Sequence, residues 1–154
     1  MMFIPSLSGY IARIAENCQQ DTSSDPDNWK PQNPTWGHCV MIALLTQELY
    51  GGEIWRASLT HIPAFAHMRS HYGNRLPSGA HLDLTAPQFG EEYPQQLEPK
   101  LSNRTYVLSH AATLARYAVF RERFNRLAMN VAIGEHMRES MQRAREQIGL
   151  PREK

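Results

Sequence analysis

The sequence predicts an α+β domain, and three observations predict it. The apolar run 40–45 lies in a segment of helical spacing that stops at Gly51-Gly52. Two short strand-like runs flank Pro77-Ser78-Gly79, the composition of a tight hairpin. Helical patterns at 7–18 and from Ser109 onward stand on either side of these. A chain of 154 residues is expected to form one domain, 1–154, with a sizeable buried core.

Taken in order, Leu7, Tyr10, Ile11, Ile14 and Cys18 share one helical stripe, which makes Cys18 a small buried hydrophobe. Residues 19–37 are polar and Pro-rich and read as one long loop, a kind of segment that is uncommon in compact domains unless functional. Trp29 and Trp36 are placed to anchor it. A second helix should begin near Gly37-His38-Cys39. Val40, Met41, Ala43, Leu44, Leu45, Leu49 and Tyr50 surround most of its circumference, so it is expected at the centre. The Gly pair can stop it, because glycine accepts a left-handed conformation. Residues 53–59 alternate as a strand, and 60–70, with His61, Pro63 and His67, are less regular. Residues 71–76 and 80–84 form the hairpin arms, and Pro, Ser and Gly suit the three loop positions in turn. Leu114, Tyr117, Phe120, Phe124 and Leu127 belong to a helix that Ser109 can cap. A separate charged helix is expected from Gly134 to the end, 134–154, with Met137, Met141, Ala144 and Ile148 as a narrow stripe. It reads as a peripheral tail helix packed on the body or as a homodimer contact.

Composition excludes several classes. Lys plus Arg is 16 and Asp plus Glu is 15, a formal charge of +1, which argues against a disordered charged tail and against non-specific nucleic-acid binding. Arg121, Arg123 and Arg126 alternate with Glu122 and apolar residues, an ordinary solvated face. No Lys-Ser/Thr follows Gly51-Gly52, so a phosphate loop is unsupported. The apolar run 40–45 is far short of the about 20 residues a bilayer needs. The first residues lack the pattern of a secretory signal. With two cysteines only, a reduced, cytoplasmic protein without membrane contact is expected.

Three residues can carry chemistry: Cys39, His71 and Asp83. At the start of the central helix, free N–H groups and the helix dipole favour a thiolate at Cys39 and could stabilise an oxyanion. A three-residue hairpin loop sets Leu76 opposite Ala80, Arg75 opposite His81 and Gly73 opposite Asp83. His71 is then diagonal to Asp83 on the same face, roughly 7–8 Å away along the backbone and within side-chain reach. That face, with His71, Gly73, Arg75, His81 and Asp83, is polar. The other, with Tyr72, Asn74, Leu76, Leu82 and Leu84, is mostly apolar. A two-residue loop would put His71 and Asp83 on opposite faces. A carboxylate-held imidazole is the base a thiol nucleophile requires. Spacing alone favours a buried Cys and a structural His–Asp hydrogen bond.

The stretch Asn33-Pro34-Thr35-Trp36-Gly37-His38-Cys39, the junction Gly51-Gly52-Glu53-Ile54, the run His71-Tyr72-Gly73-Asn74-Arg75-Leu76-Pro77-Ser78-Gly79, and Asp83-Leu84-Thr85 with Gln88-Phe89 resemble the YunG-like family. The segment 113–117, with Arg116-Tyr117, is similar too, and the likeness covers roughly 29–127. The resemblance implies a papain-like or transglutaminase-like thiol protein with the set Cys39, His71 and Asp83. The family usually has Gln before the cysteine, where this chain has His38, and Trp after His-Tyr, where it has Gly73. Papain-like sites place an amide a few residues before the Cys. Gln32 and Asn33 are candidates, although Asn33 also suits a turn before Pro34; His38 and Trp36 complete the oxyanion and binding candidates.

The expected activity is thiol-dependent hydrolysis or acyl transfer at an amide, ester or thioester carbonyl of a peptide, protein or acyl substrate. Residues 19–37 and 60–70 would line the cleft. The alternative is a non-catalytic papain-fold module that binds a peptide or acyl ligand. His61, His67, His71 and His81 with Cys39 could supply metal ligands, but no pair lies at i, i+4 on a helix and no Cys-x-x-Cys is present, so no metal or cofactor is expected. His110 and His136 fall in helices and need no special role.

Overall fold

Ser6 opens the first helix. In the computed structural model, which describes residues 3–151, its Oγ accepts the Gly9 N–H at 3.2 Å and so satisfies an amide that has no partner inside the helix. Helix α1 (Leu7–Arg13) tightens into a 3₁₀ turn at Ile14–Asn17. Tyr10, Ile14 and Cys18 are buried as the stripe requires, but Ile11 is 42% exposed. The change of pitch after Arg13 rotates the later residues inward without it.

Helix α2 (Cys39–Tyr50) is the centre of the molecule, buried at nine positions that include Met41, Leu44 and Leu45. It stops at Gly51, whose φ is +76° and whose N–H returns to the Gln47 carbonyl at 2.9 Å. Gly52 follows at φ +81°, pressed so closely on the Arg75 carbonyl that a Cβ has no room.

Strands β1 (Glu53–Ser58), β2 (Ser70–Arg75), β3 (His81–Leu82) and β4 (Lys100–Ser102) form one antiparallel sheet in the order β3-β2-β1-β4. The hairpin register is the expected one, with Arg75 opposite His81 and Leu76 bonded to Ala80. On one face Ile54 and Asn74 pair and meet α2, where Asn74 Nδ2 donates to the Ala43 carbonyl at 2.9 Å. On the other, Trp55 pairs with Gly73 and Ala57 with His71. A second, smaller core of Leu59, Phe65 and Phe89 forms beside this face.

Helix α3 (Arg104–Leu108), capped by Asn103, and strand β4 were not legible in the sequence. Three to five residues are too few to display a period. Ser109 ends α3 rather than capping the next helix. Helix α4 (Ala111–Gln147) is continuous where two helices were expected. Gly134 costs a helix only about 1 kcal/mol and breaks none without a capping motif. Residues 152–154 of the expected tail helix lie outside the described residues. The first half of α4 buries Tyr117, Phe120 and Phe124 against the core, while Met137 and Met141 beyond it are 58% and 63% exposed. Beyond Glu135, the last residue of α4 to line the cavity against α1, the helix runs away from the body. Glu48 of α2 ties the buried half down by accepting from Tyr117 Oη and from Arg121 Nε at 2.7 Å.

Two consequences can be measured. A Cβ at residue 73 would fall inside the Trp55 ring, so Gly73→Ala should destabilise by about 1–3 kcal/mol in urea denaturation. A chain ended after Gly134 should keep its melting temperature within a few degrees by circular dichroism. A large drop would mean that the distal half contributes packing.

Candidate functional site

Cys39 is the first residue of α2. The first helical bond runs from Ile42 N–H to the His38 carbonyl at 3.0 Å, so the amides of Cys39, Val40 and Met41 precede the ladder and present the positive end of the helix. The residue is 6% exposed.

The N-terminal end of α2 lies beside the start of β2, and the Cys39 sulfur acts electrostatically on both His71 and Tyr72. His71 is fully buried, and its Nε2 bonds to Asp83 Oδ2 at 2.8 Å. Asp83 is itself oriented, accepting from Tyr93 Oη at 2.8 Å and from Thr85 Oγ1 at 3.4 Å. The ring edges of Trp55, Phe89 and Tyr93 box the imidazole at centroid distances of 5.5, 4.9 and 6.4 Å. Nδ1 closes no hydrogen bond within the protein.

Burial alone would lower the pKa of His71. The Asp83 bond and the adjoining Cys39 sulfur outweigh it and push the value up to about 9. The ring therefore keeps its proton at neutral pH, between the Asp83 carboxylate and the Cys39 sulfur. A raised native value adds stability below the ordinary 6.5, which is lost as pH rises through about 9. Burial lowers the pKa of Arg116 of α4 against a smaller, raising effect of the Cys39 sulfur, and its Nε is buried without a hydrogen-bond partner.

The polar face of the hairpin is thus not open to water at His71. Three aromatic rings cover it, and only one of them, Trp55, belongs to the sheet. The remaining candidates fall elsewhere. Gln32 is exposed. His38 is a buried pin, with Nδ1 bonded to the Trp36 carbonyl at 3.0 Å and Nε2 to Thr22 Oγ1 at 2.9 Å. With both nitrogens engaged it is no binding group, and burial pushes its pKa down to about 4. Trp36 is half-buried, donates Nε1 to Asp25 Oδ2 at 3.0 Å and stacks on His67 at 6.3 Å. That stack, with the His67–Asp25 contact of 3.7 Å, joins the long loop to the 60–70 segment. Trp29 anchors the loop internally through the Pro34 carbonyl. Asn33 Nδ2 holds the Gln88 carbonyl at 2.9 Å.

Tyr93, Phe89 and Gln88 were missed as site residues. Tyr93 gave no signal, and the other two stood only within the Gln88-Phe89 motif. Cys18 stays apart, its thiol pushed up to about 12 by burial. A cavity of about 270 Å³ between α1 and α4, walled by Tyr10, Phe124 and Leu127, is also separate from these residues. Among the described residues no cluster of three or more His, Cys, Asp or Glu could hold a metal ion, and no helix is long and apolar enough to cross a membrane.

A family model described as YunG protein matches residues 9–128. The chain belongs to the YunG family. No curated protein and no solved structure matches it. The YunG match ends within α4, one turn after its last buried residue, Phe124. His38 and Gly73, the two positions singled out in the sequence, have local accounts: His38 is locked between Thr22 and Trp36, and the Trp55 indole fills the space over Gly73.

The His38 environment sets a pH dependence. Native His38 stays neutral down to about 4, whereas the unfolded residue takes up a proton near 6.5. Its contribution is present above 6.5 and lost as pH falls through 4. His38→Gln should shrink the loss in urea midpoint between pH 7 and about 4.5. An unchanged acid limb would mean that other groups set it.

Proposed function

We propose that this protein is a thiol hydrolase or acyl transferase of papain-like arrangement, acting on an amide, ester or thioester carbonyl. The observation that carries the reading is the position of His71: bonded to Asp83 through one nitrogen, unbonded at the other, and adjoining a cysteine at a helix N-terminus. A cysteine-bearing helix packed on an antiparallel sheet that carries the histidine supports the papain-like part.

In this reading the proton of the Cys39 thiol already resides on His71, and the sulfur is held as thiolate by the helix end and the imidazolium. The thiolate adds to the carbonyl carbon. His71 protonates the departing group, leaving a thioester on Cys39. Water or another acceptor, deprotonated by His71, then releases the acyl group. Asp83 keeps the ring oriented and stabilises its charge, and Tyr93 and Thr85 keep Asp83 oriented.

Alkylation of Cys39 by iodoacetamide across pH tests this. The wild type should react well below the free-thiol pKa of about 8.5. His71→Ala should slow the neutral-pH rate roughly tenfold or more, with Asp83→Asn in between, and Cys39→Ser should abolish labelling. The small exposure of Cys39 favours one second reading, a non-catalytic papain-like module that binds a peptide or acyl ligand. Equally sluggish alkylation in all His71 and Asp83 variants would select it.

A further inference from the structure

When a sulfur adds to a carbonyl, the π electrons of the C=O bond move onto oxygen, and the anion needs donors already in place. The first-turn amides of α2 offer some. Gln88 offers another. Its side chain is 2% exposed, and its Oε1 accepts the Gly37 N–H at 3.1 Å. That bond settles the orientation of the carboxamide, since an NH₂ cannot face an N–H donor. Nε2, on the other end, is buried and has no hydrogen-bond partner in the protein. Buried donors are almost always paired, so an unpaired one calls for a missing acceptor.

The surroundings fix this group in place. Gly37 stands two residues before Cys39 at φ +73°, and a Cβ there would run into Ser23 Oγ, so the direction of its N–H is set by the fold. The Gln88 backbone is clamped twice, its N–H to the Thr85 carbonyl at 3.0 Å and its carbonyl to Asn33 Nδ2 at 2.9 Å. The next residue, Phe89, presses its ring on His71. Gln88 thus bridges the turn that leads into Cys39 and the wall of the His71 box. Three buried nitrogens without a hydrogen-bond partner, His71 Nδ1, Gln88 Nε2 and Arg116 Nε, belong to residues around this helix start.

We propose that the Gln88 side-chain amide is an oxyanion donor for acyl transfer at Cys39, acting with the backbone amides at the start of α2. The proposal rests on the thiol reading above. The C–S bond forms as the C=O π pair becomes the oxyanion, which accepts the Gln88 N–H. The pair returns as the bond to the leaving group breaks, and that group departs with the proton of His71. The same donor serves the oxyanion formed when the acceptor attacks the thioester. Gln32, exposed, and His38, bonded at both nitrogens, leave this role open.

The test compares two reactions of the same sulfur in the full chain. Acylation by p-nitrophenyl acetate passes through a tetrahedral oxyanion, whereas alkylation by iodoacetamide, a displacement at saturated carbon, does not. Gln88→Glu keeps an oxygen for the Gly37 N–H and removes the donor. Gln88→Met removes the donor without adding charge, and serves alone if the first variant fails to fold. The ratio of acylation to alkylation should fall at least about tenfold, since loss of one such donor costs roughly 10²–10³ in rate. Because the ratio is taken within each variant, a change common to both rates drops out. A ratio unchanged in the variants, with the wild type reacting by both routes, overturns the role of Gln88 and leaves the thiol site standing. A wild type with neither acylation nor pH-shifted alkylation at Cys39 removes the thiol reading itself.

Discussion

Asn74 donates to the carbonyl of Ala43 across the interface between sheet and central helix. Both residues are buried, so breaking the bond would leave a donor and an acceptor without water to replace each other. Asn74 is three residues along β2 from His71, and Ala43 is one helical turn from Cys39. The bond therefore fixes the sliding of strand against helix, and with it the separation of imidazole and sulfur. Apolar contacts alone would tolerate such sliding, because they are not directional.

Around His71 the chain has built a charged group into an apolar box. Burial works against the imidazolium, and a carboxylate with its own two donors restores it. Removing one member of such a set leaves an uncompensated buried charge, which costs more than the intact pair contributes. This makes Tyr93, a residue with no motif around it, as much a part of the arrangement as Asp83.

The parts of this fold that were legible in the sequence are those with local rules. Pro77-Ser78-Gly79 dictates a three-residue loop, and the loop dictates that His71 and Asp83 share a face. The start of α2 at Cys39 and its stop at Gly51 follow from apolar spacing and glycine. What escaped was set by distance along the chain. Gln88 meets Gly37 across 51 positions, and Phe89 and Tyr93 reach His71 from a 3₁₀ segment, Ala86–Glu92, and the residue after it. The polarity of the hairpin face suggested solvent, whereas the rings that cover it come mostly from another segment. His38 and Trp36 were near Cys39 in sequence, but their side chains fasten the long loop instead.

The overlap of Trp55 with the space above Gly73 ties two positions 18 residues apart to a single volume. Bulk can sit at one of them or the other, never at both. Substitutions there are therefore epistatic: a larger residue at 73 becomes acceptable only after the indole at 55 has been reduced, and reducing the indole first leaves a void against the imidazole. Any lineage passing between the two solutions must cross a less stable intermediate, or change both residues together.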